Sequence, residues 1–141
     1  MKQFDTFGVM LDCSRNAVMT VAELKHFIDV LARMGYNQLQ LYIEDPYEVD
    51  NEPYFGSFRG RYSQDELREI DDYAFDKGVE LVPCMQTLAH FNQLVKWPMY
   101  QEMMDDADVL MVGEERPYTL IDNMFKTISQ TFSTKNIHIG M

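Results

Sequence analysis

Short apolar runs alternate with amphipathic helical stretches along this chain, and the linkers between them are unequal in one consistent direction. The alternation predicts parallel strands joined by right-handed helical crossovers, because parallel neighbours cannot be joined by a tight hairpin. Residues 7–11 are nearly all apolar, which predicts a strand buried on both faces. Thr20 and Glu23 have the spacing of a capping box. Leu24, Phe27, Ile28 and Leu31 then follow along one helical stripe, and Gly35 stands where a left-handed C-terminal cap is needed. The cycle repeats with a strand at 38–43, a polar loop containing Pro and Gly at 44–62, and a second capping box at Ser63 and Glu66. Leu67, Ile70 and Ala74 line the next helix, which Gly78 ends before a third strand at 79–85. A long excursion holds a short helix at 99–104 and an extended piece at 109–112. Ile121, Met124, Phe125, Ile128 and Phe132 mark one face of a last helix, and 136–139 reads as a fourth strand.

The links from helix to strand are short: 35–37, residue 78 and 133–135. Those from strand to helix run to about 8, 19 and 30 residues, within the usual uncertainty of element ends. All the long loops therefore lie at the C-terminal ends of the strands, the functional face of parallel α/β folds. The segment after the first strand, 12–16, holds no glycine, which disfavours a phosphate-cradling doubly wound domain. The expected fold class is α/β: a partial (β/α)8 TIM barrel of about four β–α units with parallel strands, filling residues 1–141 as the N-terminal half of a barrel domain. A half-barrel leaves two strand edges that must be covered or paired with a second copy.

Composition narrows the partners. Acidic residues outnumber basic ones by 23 to 12, and a net charge of −11 argues against a nucleic-acid or anionic-membrane surface. An apolar share of 46% with 13% aromatics suits one packed core and not a disordered chain. No leader-like opening or apolar run near 18 residues is present, so the expectation is a cytoplasmic protein with no membrane partner. Cys13 and Cys84, too few for a disulfide framework, are expected to be buried thiols. Asp105, Asp106 and Asp108 lack the glycine and distal glutamate of a calcium loop and read as a solvated helix end. No Cys–His spacing supports zinc, so no metal and no cofactor is expected.

Polar groups gather at the strand ends: Asp12 and Arg15 after the first, Glu44 and Asp45 after the second, Gln86 and His90 after the third. Charge there is ordinary for an active-site mouth and costly in a core. The competing reading makes Asp12 with Arg15, and Asp45 with Arg59 or Arg61, paired surface ions. His138, within the fourth strand, is expected to be buried and hydrogen-bonded, whereas His26 lies on the polar side of the first helix. Tyr42, Tyr47, Tyr54, Phe55, Tyr62, Phe91, Trp97 and Tyr100 crowd the two long loops. Such rings suit the apolar faces of sugars, but most are expected to pack the loops.

Several strings resemble one family. Gly8-Val9-Met10-Leu11-Asp12-Cys13-Ser14-Arg15 is similar to the first barrel strand of family-20 glycoside hydrolases, the β-N-acetylhexosaminidases. Leu41-Tyr42-Ile43-Glu44-Asp45 resembles their second strand, and the run from Leu81 to His90 their third. His138-Ile139-Gly140-Met141 resembles the opening of their His-x-Gly-x-Asp-Glu signature, and Glu52-Pro53-Tyr54-Phe55-Gly56 with Arg59-Gly60-Arg61-Tyr62 points to a bacterial branch. The resemblance implies substrate-assisted retaining hydrolysis of terminal N-acetylhexosamine, in which the substrate's acetamido oxygen attacks the anomeric carbon. It implies that Arg15 binds the terminal sugar's hydroxyls and that Asp45 and His90 form a relay supporting the general acid. The signature's Asp-Glu pair would follow Met141, so these 141 residues alone are expected to be inactive. The alternative is a non-catalytic half-barrel that self-associates through its open edges and binds sugar near Arg15. A third reading, a sugar isomerase, calls for metal ligands at the strand ends, and no convincing set is present.

Overall fold

The computed structural model describes residues 4–15 and 17–140. In chain order it contains β1 (Gly8–Asp12), α1 (Val21–Met34), β2 (Gln38–Ile43), α2 (Gln64–Asp76) and β3 (Glu80–Met85). A 3-10 turn (Leu94–Lys96), a one-turn helix α3 (Pro98–Gln101) and α4 (Glu115–Thr131) follow. The strands form one parallel sheet in the order β1-β2-β3. Its register sets Gln38 between Gly8 and Glu80 at the lower end, and Tyr42 between Asp12 and Cys84 at the upper end. This is the expected partial barrel: an open parallel α/β sheet with long loops above the strands' C-terminal ends.

The helices start where the sequence places them. The Thr20 hydroxyl accepts from the Glu23 amide at 3.3 Å, and Gly35 closes α1 at φ 86°, a left-handed conformation that glycine adopts without strain. At α2 the box is reciprocal: Ser63 Oγ accepts from the Glu66 amide at 3.2 Å, and the Glu66 carboxylate accepts from the Ser63 amide at 2.8 Å. Leu24, Ile28 and Leu31 of α1 and Leu67, Ile70 and Ala74 of α2 share one core with Leu39, Leu41 and Ile43 of β2.

Four expectations need correction. β1 is not buried on both faces: Val9 and Leu11 on one face pack against the core, whereas Met10 on the other does not and is 47% exposed, and Phe7, just before the strand, is 44% exposed. The stretch 136–139 is no strand but one bridge, His138 with Cys84, in which the His138 amide donates to Pro83 O and its carbonyl accepts from the Met85 amide. Gly140, at φ 67°, turns the backbone out of the extended path two residues later. The His138 side chain is exposed, not buried, and its Nδ1 accepts from the Gly140 amide at 3.0 Å. On α4 Phe125 faces outward, and Pro117, Leu120, Met124, Thr127 and Ile128 form the buried stripe.

The β2–α2 loop is a packed body of its own. Tyr47 and Phe55 are fully buried and meet edge to face at 5.2 Å. Glu52, 2% exposed, receives both Arg116 Nη atoms of α4 at 2.8 and 2.6 Å and Asn123 Nδ2 at 3.1 Å. A buried carboxylate requires this satisfaction, and the bidentate fork ties the loop to α4.

Candidate active site

The turn after β1 is stitched to the end of β2 by backbone and short side chains. The Cys13 amide donates to Tyr42 O at 3.0 Å, and Ser14 Oγ accepts from the Glu44 amide at 2.8 Å. Asp12 Oδ1 accepts from the Ser14 amide at 2.8 Å, which tightens the turn and sets Arg15 over the sheet's upper end. There Arg15 Nη1 donates to Asp12 Oδ2 at 2.9 Å, its Nη2 lies 3.4 Å from Glu44 Oε1, and its guanidinium carbon is 4.9 Å from the centre of the Tyr42 ring. Tyr42 Oη donates to the same Glu44 oxygen at 3.0 Å. His90 arrives from beyond β3 in a left-handed conformation, φ 67°, and its Nδ1 stands 3.9 Å from Glu44 Oε1.

Glu44, 6% exposed, is thus the meeting point of three strand ends. Around it the Arg15 and His90 side chains stay open to solvent, at 58% and 48%. A buried anion holds partners whose other faces remain available to a ligand. The Tyr42 hydroxyl, first, with Asp12 and Glu44 after it, keeps the Arg15 guanidinium above its ordinary value against the opposing effect of burial. Burial, joined by the nearby Glu44 carboxylate, raises the Tyr42 phenol and keeps it a proton donor.

Asp45 sits one residue on and faces another way. It is 3% exposed and pairs with Arg59, whose Nε is 3.3 Å from Asp45 Oδ1 and whose Nη2 donates to Ser14 O. The structure therefore sets Asp45 against Arg59 and His90 against Glu44; Asp45 and His90 do not pair directly. Burial outweighs the Arg59 charge and raises the Asp45 carboxyl above its ordinary value. The surface-ion reading fits Asp12 with Arg15 but not Asp45 with Arg59, because both of the latter side chains are largely buried. Gln86 is buried with its Oε1 unpartnered, and Gly140 packs so closely that a Cβ there would lie 2.4 Å from that oxygen.

The glutamate's role as meeting point was not legible in sequence; the only signal was its place at a strand end beside Asp45. Cys13 and Cys84 are unpaired and buried, and burial pushes the Cys13 thiol up to about 12. Among the described residues no group of three His, Cys, Asp or Glu side chains gathers to hold a metal. Among them also, no helix is long and apolar enough to cross a membrane. Asp106, expected at a solvated helix end, instead closes a turn by accepting from the Asp108 and Val109 amides at 2.7 and 2.9 Å.

Long loops over the C-terminal ends of parallel strands, with an arginine, a buried glutamate and a histidine converging there, define the class: a segment of a TIM-barrel enzyme. The comparisons name the family. The sequence matches the glycosyl hydrolase family 20 catalytic domain over residues 4–141, and the chain belongs to that family. It is 23% identical to a probable beta-hexosaminidase of Arthroderma benhamiae, over 94% of this chain and 26% of that protein. With a beta-hexosaminidase of Porphyromonas gingivalis it shares 24% identity, over 94% of this chain and 20% of that one. The fold superposes on a chitobiase of Flavobacterium johnsoniae with a TM-score of 0.87 at 23% identity, covering 97% of this chain and 23% of that one. A Streptomyces plicatus beta-hexosaminidase solved with its product GlcNAc gives 0.86 at 24%, covering 97% and 32%. The chain thus spans about a quarter of the length of the hexosaminidase sequences it matches.

Proposed function

We propose that these residues form part of the sugar site of a β-N-acetylhexosaminidase that removes terminal N-acetylhexosamine by substrate-assisted, retaining hydrolysis. The observation that carries the reading is the convergence of Arg15, Tyr42 and His90 on the buried Glu44 at the mouth of a family-20 sheet. In this reading Arg15, fixed on its inner side by Asp12 and Glu44, donates its outward N–H groups to the hydroxyls of the terminal sugar. Asp45 and His90 support the general acid as positioning residues: the first anchors the loop arginine over the site, and the second presents its ring above Glu44. The signature Asp-Glu pair lies beyond Met141 in the resemblance, so residues 1–141 by themselves are expected not to turn over substrate.

The test is hydrolysis of an aryl N-acetyl-β-glucosaminide by the protein expressed from its complete reading frame, with the anomer released followed by NMR. Retention of configuration supports the reading; inversion, or no turnover, overturns it. Turnover by purified residues 1–141 would contradict the expected inactivity of that stretch.

A second reading draws on the bare edge at β1 and the exposed Met10: two copies pair through their open edges as a non-catalytic half-barrel. A defined dimer mass for residues 1–141 by sedimentation would favour it, and heterogeneous aggregate would not. The cytoplasmic setting remains part of the proposal, supported by two unpaired, buried thiols, and cell fractionation tests it.

A further inference from the structure

One polar side chain at the strand ends is buried without a partner. Asp12, Glu44 and Asp45 each accept a hydrogen bond from a neighbour. Gln86, the first residue past β3, is 3% exposed, and its Oε1 accepts none. A carbonyl oxygen buried in this way bears the full cost of its lost hydration, and nearly all such groups in folded proteins are bonded. Leucine or methionine would fill the space without that cost, so packing alone gives no reason for an amide.

The surface that Gln86 does meet is backbone. A Cβ on Gly140 would lie 2.4 Å from Oε1, 2.5 Å from Cδ and 2.6 Å from Nε2, so the carboxamide lies directly against the glycine. Gly140 stands at φ 67°, and a side chain there is excluded twice, by conformation and by Gln86. The chain is tied down on its way to this turn. The His138 amide donates to Pro83 O at 3.0 Å, and His138 O accepts from the Met85 amide at 2.9 Å. Thr87 Oγ1 then donates to Ile139 O at 3.0 Å. Pro83, Met85 and Thr87 thus hold residues 138–139 in place, and Gln86 supports the residue at which the chain turns.

We propose that Gln86 is a positioning residue of the sugar site: its carboxamide braces the turn at Gly140, and its Oε1 accepts an N–H of the backbone that continues past it. The inference rests on the hexosaminidase reading, in which the reacting carboxylates follow that turn, and adds the side chain that sets their direction of entry. Bracing matters at this point because a reacting group misplaced by about 1 Å loses about a hundredfold in rate. An amide supplies the brace without charge. A glutamate of the same shape would accept the N–H equally well, but it would set a like charge beside the carboxylates and raise their pKa.

The experiment compares Gln86→Met and Gln86→Glu with the unaltered protein, all from the complete reading frame, on an aryl N-acetyl-β-glucosaminide. Gln86→Met keeps the volume and loses the acceptor. Its kcat is expected to fall about ten- to hundredfold, with KM within about twofold of the parent's. Gln86→Glu restores most of that kcat and moves the alkaline limb of the pH profile about half a unit or more to higher pH. A change in KM alone would make Gln86 a ligand contact and overturn the inference. Failure of both variants to fold, or a kcat per folded molecule unchanged in both, assigns Gln86 to the fold and overturns it as well. If the unaltered protein does not hydrolyse the glycoside, the hexosaminidase reading fails. The brace is then decided by amide hydrogen exchange in the peptide spanning Gly140. It stands if exchange there is about tenfold faster in Gln86→Met and restored in Gln86→Glu, and it falls if all three proteins exchange alike.

Discussion

The two ends of the parallel sheet each hold a half- or fully buried carboxylate, under opposite conditions. At the lower end Glu80 accepts from Gln38 Nε2 at 3.0 Å, from Thr134 Oγ1 at 2.5 Å and from Asn136 Nδ2 at 2.7 Å. Those donors, Thr134 foremost, hold its carboxyl below the ordinary value. At the upper end Asp45 is deeper and leans on Arg59, and burial raises it above its ordinary value. The lower carboxylate is satisfied and stabilises the fold where the chain crosses from α4 back to the sheet. The upper one is left under-compensated, a condition found where charge serves a ligand or a reaction. In parallel barrels the lower end carries stability and the upper end chemistry, and the opposite shifts of Glu80 and Asp45 follow that direction.

Arg15→Ala in the protein from the complete reading frame tests the upper end most severely. If Arg15 binds sugar hydroxyls as proposed, loss of that charged contact, worth about 3 kcal/mol, is expected to lower kcat/KM about a hundredfold, while the melting temperature stays close to the parent's. A collapse in stability instead would show that Arg15 serves the fold and would break the comparison. Glu80→Ala is the mirror image, with kinetics per folded molecule unchanged. The bonds it removes cost about 2–3 kcal/mol of stability by denaturant titration.

Acid unfolding sharpens the contrast. Because Glu80 is lowered in the folded state, its stabilisation is complete above its ordinary value near 4.5 and is lost as pH falls through the lowered one. Glu80→Gln should therefore flatten the stability curve below about pH 4.5. For Asp45 the sign reverses: a raised carboxyl costs stability once pH climbs past its ordinary value of 3.8. Asp45→Asn removes that cost but strips Arg59 of its counter-charge. The sign of the shift has the two opposing each other, and this is expected to be the smallest of the effects. A loss as large as that of Glu80→Ala would mean that the Asp45–Arg59 pair is structural.

The order of elements, both helix caps at Thr20 and Ser63, the left-handed glycine at 35 and the polar strand ends were all legible in the sequence. They depend on neighbours three or four residues apart, where backbone hydrogen bonding and side-chain periodicity act. The family strings were legible for the same reason, each lying within one strand and its turn. The sequence could not show which charge meets which. Glu44 collects Arg15 from the turn after β1 and His90 from beyond β3, and Asp45 turns to Arg59, because the parallel register and the left-handed backbone at His90 bring those ends together. Exposure was settled at the same level. An apolar run at 7–11 predicts burial, yet only the assembled layers decide that Val9 and Leu11 meet the core and Met10 does not. Likewise 136–139 is extended in pattern, but Gly140 turns the chain away and leaves a single bridge. Local propensity fixes what each segment can become. Pairing partners and free faces are set by contacts between residues tens of positions apart, which exist only once the sheet is assembled.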